Sequence, residues 1–417
     1  MTPMLTGPRR PLLAVATIGH HRHGKTTLTA AITRALARRG EPGVVAFDPG
    51  ELDRRSGCTA YMLGAFPLRP IVTVRGTSVA YANDRRMFVH VDCPGRRPWL
   101  RDAARCIGLV DAVILVVSAR ESVQAQTREH LLVARALGVE QVVGFIGQCD
   151  AVRDPGRLDA VERDTRELLD ACGFDGDATA LIRGSAEGAL VGAPEWQAGI
   201  VELIEALTRE VALPVRDSDG PALLYVHWRR LSRVRCRVTR GSVRVGQPLT
   251  YVGLETSDAI AVDSITVYRQ SVETVSAGQF AEFWLESRTT QSRYRWPRTG
   301  DALVDGEALP TRTIEAQLEL LRPELGGRTT AIGDGHTAHL LFGAVAVGGT
   351  LHFVGAARLE PGEVANVVIE LMRPVYLEAD ARFVVSDGSQ GAGWRPGSPA
   401  TWGGTVGSGR VTRVRPG

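Results

Sequence analysis

Lys25 is the only lysine in 417 residues, and it sits in Gly19-His20-His21-Arg22-His23-Gly24-Lys25-Thr26, a complete G-x-x-x-x-G-K-[ST] pattern. Those residue types at that spacing can grip a polyphosphate. The glycines let backbone N–H groups turn toward an anion, the ammonium reaches β- and γ-phosphate oxygens, and the threonine hydroxyl can ligate Mg²⁺. Lysine and arginine together number 49, so every other such position is arginine. Lysine is retained here for a chemical reason. An ammonium on a flexible stem fits inside a tight loop where a broad guanidinium does not.

Such a loop must be held between a strand and a helix whose N-terminal N–H groups face the anion. Leu12 to Ile18 is an apolar run of strand length, and Thr26 to Arg38, rich in alanine and leucine, predicts a helix closing near Gly40. From Met87 an alternating strand runs to Asp92-Cys93-Pro94-Gly95. A carboxylate there can hold Mg²⁺ through water, and Gly95 can offer its N–H to a γ-phosphate. Asp111 to Val117 reads as a buried parallel strand, followed by a helix from Gln126 to Leu137. Gln141 to Ile146 is another strand, leading into Gly147-Gln148-Cys149-Asp150. Asp150 could accept from both N1–H and N2–H of guanine, a pattern adenine lacks. Leu181 to Ala186 supplies a last strand and a loop suited to cover a base. The alternation predicts a doubly wound, mainly parallel sheet with the nucleotide at the carboxyl ends of its strands.

From Pro221 the helical pattern stops, after a linker at Leu213 to Gly220. Arg233 to Gly241, Val245 to Val252 and Gln279 to Leu285 read as short strands, the spacing of a barrel or a sandwich. A second break at Ala308-Leu309-Pro310-Thr311 opens a last all-β segment. The net charge of +3 is too small to imply nucleic-acid binding. The cluster Arg229, Arg230, Arg233, Arg235 and Arg237 alternates with apolar residues and reads as a solvated face, with nucleic-acid contact as the alternative. Six cysteines form no C-x-x-C pair, so neither a zinc site nor a disulfide framework is expected. No apolar stretch approaches the roughly 18 residues of a membrane span. The opening MTPMLTGPRRP carries no signal-peptide core, so a cytoplasmic location is expected.

These motifs together resemble elongation factor Tu and the wider translation-factor GTPases. That family's phosphate loop reads GHVDHGKTTLTAAI against GHHRHGKTTLTAAI here, and the HVDCPG, QTREHLL and GSA segments match as well. The resemblance implies an α/β P-loop GTPase domain over 1–213, then two all-β barrel domains over 221–309 and 311–417. It implies GTP or GDP and Mg²⁺ as ligands. Nucleotide contacts would fall to Gly19, His23, Gly24, Lys25, Thr26, Thr27, Asp92, Gly95, Gln148, Asp150, Ser185 and Ala186. Thr26 would ligate the metal. The family's switch threonine resembles either Thr59, in Gly57-Cys58-Thr59, or Thr73, the position reached by counting back from Asp92, which is taken as the second metal ligand. Aminoacyl-tRNA, the ribosome and a nucleotide exchange factor are the implied partners of a monomer that binds no membrane.

The departures bear on catalysis and base reading. The histidine that follows DCPG in the family is Arg96, which is protonated at every accessible pH and can stabilise charge but not act as a base. Arg96 is therefore the candidate catalytic residue, with His21 or His23 as the alternatives. The aspartate of GHVDHG is Arg22, and N-K-x-D has become Gly147-Gln148-Cys149-Asp150, which loses a bracing asparagine and a lysine stem over the base. Both losses should weaken guanine affinity without abolishing the preference. The V-E-M-F-R segment that lines the family's pocket for the terminal adenosine of aminoacyl-tRNA resembles Ile265 to Arg269, with Thr266 at the acidic position. Two readings follow: a GTPase delivering aminoacyl-tRNA, or a hydrolysis-deficient GTP/GDP-binding paralogue with a regulatory or drug-insensitive stand-in role. A GTPase partner of an adenylyl-transfer enzyme shares the architecture but matches QTREH and CPG less closely.

Overall fold

Apolar runs that are buried on both faces build the sheet of the first unit, Met1–Pro214. In a computed structural model the described residues are 10–40, 46–49, 77–94, 100–253, 257–268, 270–287, 297–387 and 404–415. In chain order the unit contains β1 (Leu12–Ile18), α1 (Lys25–Arg38), β2 (Thr77–Ala82), β3 (Met87–Asp92), α2 (Leu100–Ile107), β4 (Ala112–Ser118) and α3 (Ala125–Ala136). There follow β5 (Gln141–Gly147), α4 (Pro155–Ala171), β6 (Leu181–Arg183), α5 (Ala186–Val191) and α6 (Pro194–Arg209). The strand order is β2-β3-β1-β4-β5-β6, parallel except for the antiparallel edge strand β2. All seven residues of β4 are buried, as a central parallel strand covered on both faces requires. Helices α1, α5 and α6 pack together, and α2 packs with α3. The core joins Leu13, Leu28, Ile32, Phe88, Phe145 and Leu203. Because β1 lies between β3 and β4, the order of connection reverses beside it, and a crevice opens at its carboxyl end.

Helix α1 starts at Lys25, one residue earlier than the composition implied. Strand β4 extends one residue further, to Ser118. Both shifts bring side chains to the crevice.

The second unit, Val215–Gly417, is all β. Its first part contains β7 (Leu223–Arg230), β8 (Arg233–Arg240), β9 (Ser242–Arg244), β10 (Pro248–Val252), β11 (Ser257–Val267), β12 (Gln270–Val272), β13 (Thr274–Ser276), β14 (Phe280–Ser287) and β15 (Ala302–Val304). Six of these close a ring in the order β10-β15-β7-β8-β14-β11, with β11 pairing back to β10. The strand expected from Val245 begins only at Pro248, because Gly246 at φ 82° and a Gln247 N–H donated to Arg244 O turn the chain. The second ring contains β16 (Thr311–Leu320), β18 (His336–Phe342), β19 (Val345–Phe353), β21 (Val364–Val375), β22 (Arg382–Ser386) and β23 (Thr405–Arg415), in the order β16-β21-β19-β18-β22-β23. The short β17 (Ile332–Gly333) and β20 (Arg358–Leu359) pair separately. Ile314, Leu340, Leu351, Ile369 and Phe383 fill its interior. Arg240 forks onto both oxygens of Glu378 at 3.0 and 2.9 Å, a bidentate pair joining the two barrels.

The reading of the arginine cluster as a solvated face is corrected at Arg235. Valine and cysteine of β8 point inward (Val234, Cys236 and Val238 are all fully buried), so its arginines line the outer face. There Arg235 is only 3% exposed, donates to Glu282 at 2.7 Å and lies 4.1 Å from the Trp228 ring. A large indole and a carboxylate on neighbouring strands cover it, and alternation alone does not reveal cross-strand neighbours. Arg229 and Arg230 are exposed. Among the described residues, no helix is long and apolar enough to cross a membrane.

Candidate nucleotide-binding site

The phosphate loop follows β1 and feeds α1. Gly19 has φ 133°, and a Cβ there would come 2.2 Å from Val116 O, so only glycine lets the loop cross the neighbouring strand. Gly24 has φ 91° and caps α1. Between them Arg22 adopts φ 67° with its side chain exposed. Lys25 is 6% exposed, and its ammonium donates to Gly19 O at 3.1 Å and to His20 O at 2.7 Å. The lysine is thus folded back into its own loop, at the place an incoming phosphate would approach. Burial lowers its pKa to about 8, while the Asp92 carboxylate pulls the other way.

Strand pairing sets Asp92 opposite Thr17, and both its oxygens are engaged. Thr17 Oγ1 donates to Oδ1 at 2.9 Å and Thr26 Oγ1 donates to Oδ2 at 2.6 Å. A hydroxyl and a carboxylate converging in this way suit Mg²⁺, which keeps most of its shell as water and phosphate and takes one or two protein groups. Among the described residues no group of three or more His, Cys, Asp or Glu is arranged to hold a metal. A site of this kind needs no such group.

Burial lowers the pKa of His20 and of His23 in the loop. His23 Nδ1 accepts from Ser118 N–H at 3.3 Å, so Nε2 carries the proton and faces Glu121 Oε2 at 3.3 Å. Burial first, then neighbouring His20, lowers its pKa to about 4, so at pH 7 this contact is a hydrogen bond from a neutral imidazole and not an ion pair. His130 accepts from Gly19 N–H at 3.2 Å through Nδ1, and burial lowers it to about 3. Inside the loop the buried positive charge is therefore Lys25 alone among the residues described. His23, an alternative catalytic group on sequence, is held as a structural hydrogen-bonding residue.

The base side is assembled at the ends of β5 and β6. An open cleft is lined by His23, Gly24, Thr27, Gln148, Asp150, Ser185 and Ala186, so these sequence-assigned residues do share one space. Asp150 is exposed in a 3₁₀ turn, Cys149–Ala151, and Cys149 N–H donates to Gly184 O at 3.1 Å, which ties the two base loops together. Ser185 Oγ accepts from Gly188 N–H at 2.9 Å and caps α5. Phe145, Arg120 and Glu187 also line the cleft and were not singled out from sequence. Arg120 follows an apolar strand and carries no motif, so only the fold brings it here. Gly95, Arg96, Thr59, Thr73 and Arg269 lie outside the described residues.

A parallel sheet with a G-x-x-x-x-G-K-T loop at its switch point, a carboxylate beside the threonine and a carboxylate facing the base cleft define a P-loop nucleotide-binding domain. Residues 10–212 match the family model of the elongation factor Tu GTP binding domain, and the first unit of this chain belongs to that family. The two antiparallel barrels that follow complete the elongation factor Tu type of architecture.

Proposed function

We infer that this chain binds GTP, hydrolyses it to GDP and phosphate, and in its GTP form carries aminoacyl-tRNA to the ribosome. The observation that carries the reading is the intact phosphate grip: a buried Lys25 aimed into the loop and Thr26 at 2.6 Å from Asp92. Lys25 exchanges its two backbone carbonyls for phosphate oxygens. Thr26 and Asp92 would hold Mg²⁺, which would supply positive charge against the phosphates. Asp150 accepts from the guanine edge, and the Ser185-Ala186 loop covers the base. Arg96 stabilises charge that develops on the transferring phosphoryl group. Support for an RNA partner comes from the first barrel, where Thr266 pairs across the sheet with Glu282, which in turn pairs with Arg235. Beside that row the Arg233 guanidinium lies 5.7 Å from the Trp228 ring and 5.4 Å from the Trp284 ring, an arrangement on which an unpaired base can stack.

The second reading is a protein that holds guanine nucleotide with little turnover. It is favoured by the hydrogen-bonded state of His23, whose pKa burial lowers to about 4, and by arginine at position 96, neither of which suits general-base work at neutral pH. Gel-shift titration of aminoacyl-tRNA with the full chain tests the first reading. A complex that forms with a non-hydrolysable GTP analogue and dissolves with GDP is expected. No complex in either state would count against delivery.

A further inference from the structure

The base-reading segment has glycine at 147, where the resembling family has a bracing asparagine, and the fold places an amide one residue later. Gln148 adopts φ 61° and ψ 29°, a left-handed conformation that L side chains visit at a cost of roughly 1–2 kcal/mol. Its Oε1 accepts from Ser118 Oγ–H at 2.5 Å, and its Nε2 donates to Arg22 O at 3.1 Å. Arg22 is itself left-handed, so two strained non-glycine residues face each other across one hydrogen bond. Ser118 completes the connection. Its hydroxyl oxygen accepts from Arg120 N–H at 3.2 Å and its own N–H donates to His23. The end of β4, the phosphate loop and the base loop are therefore joined through the Gln148 side chain. Position 147 has little room for the missing asparagine, since a Cβ there would lie 3.3 Å from the Phe145 ring.

We propose that Gln148 is a positioning residue that holds the Asp150 loop in register with the phosphate loop, so that preference for guanine over bases lacking its 2-amino group depends on the Gln148 amide. This rests on the reading of the cleft as a GTP/GDP site. Gln148 reaches a loop carbonyl and a strand-end hydroxyl with a neutral group, and two strained backbone positions persist because this bond is made. Asp150, exposed and two residues along the same turn, depends on that anchor for its distance from the phosphates.

The test measures dissociation of fluorescently labelled GDP and IDP from the full chain, native and with Gln148→Ala, Gln148→Glu and Ser118→Ala. Gln148→Ala removes two hydrogen bonds and should speed GDP release by about 10- to 30-fold. IDP release should change much less, so the GDP-over-IDP preference shrinks. Gln148→Glu keeps the size but loses the donor to Arg22 O and should behave alike, and Ser118→Ala should be intermediate. Equal acceleration for GDP and IDP would overturn the proposal, since general loosening affects both alike, and so would unchanged release. Should the Gln148 variants fail to fold, Ser118→Ala decides by the same ratio. Failure of the native chain to bind GDP would remove the nucleotide reading and this inference with it, and the native protein alone reveals that case.

Discussion

Raising the pH should loosen the nucleotide through Lys25. Burial holds this ammonium at about 8 in the free loop, and it is only 6% exposed. A polyphosphate favours the charged form, so binding takes up a proton wherever the free loop is already neutral. The charged fraction of a group titrating at about 8 falls from about nine-tenths at pH 7 to about one-tenth at pH 9, so Kd for GDP should rise about tenfold, or about 1.4 kcal/mol. For folding of the free protein the sign is opposite. The folded-state value lies below the ordinary lysine value of 10.5, so the unfolded chain holds more protons between about 8 and 10.5, and the Lys25 contribution to stability rises with pH across that window. Lys25→Arg provides the control, because guanidinium stays charged at both pH values and flattens the Kd profile. The wider group should overpack the loop by about 1–3 kcal/mol, weakening GDP about 5- to 150-fold at pH 7. Fluorescence titration at pH 7, 8 and 9 and constant ionic strength measures both effects. An arginine variant with the same pH slope as the native protein would refute the reasoning, since the slope would then belong to the ligand or to another group.

Thr26→Val removes the hydroxyl 2.6 Å from Asp92 and should cut the Mg²⁺ enhancement of GDP affinity about tenfold, read by release rates with and without chelator; an unaltered Mg²⁺ response contradicts the metal role. Glu282→Ala leaves the buried Arg235 guanidinium without its carboxylate and should destabilise the barrel by about 3 kcal/mol in chemical denaturation, whereas a shift within about 0.5 kcal/mol would restore the solvated-face reading. His90 is buried beside Tyr81 Oη at 3.1 Å with its pKa lowered by burial to about 3, below the ordinary 6.5. Unfolding therefore takes up a proton as pH falls below about 6.5, costing about 1.4 kcal/mol per pH unit, and melting at pH 7 and 5.5 should drop less in His90→Gln than in the native chain.

The phosphate side was legible in sequence because its chemistry is local. Gly19, Lys25 and Thr26 lie within eight residues, and Asp92 announces itself at the end of an alternating strand. Strand pairing then brings Asp92 to Thr17 and Thr26 with no further information needed. The base side was only half legible. Asp150 could be assigned by its position after a strand, but the tie from Gln148 to Ser118 spans 30 residues and depends on a left-handed backbone that nothing in the local composition demands. Arg120 and Phe145 reach the cleft through the stacking of β4 beside β5. Arg235 was misread because its partners, Trp228 and Glu282, come from two other strands. Periodicity reports which face a side chain takes, whereas its burial depends on what lies across the sheet.

The most direct test of the central claim is single-turnover cleavage of GTP by the purified chain, with and without programmed ribosomes, beside an Arg96→His variant. Ribosome-stimulated cleavage by the native protein is the expected result, and it would establish a working translational GTPase with arginine at position 96. GTP held tightly but left uncleaved under both conditions, with cleavage restored only by Arg96→His, would contradict it and establish a nucleotide-holding protein instead.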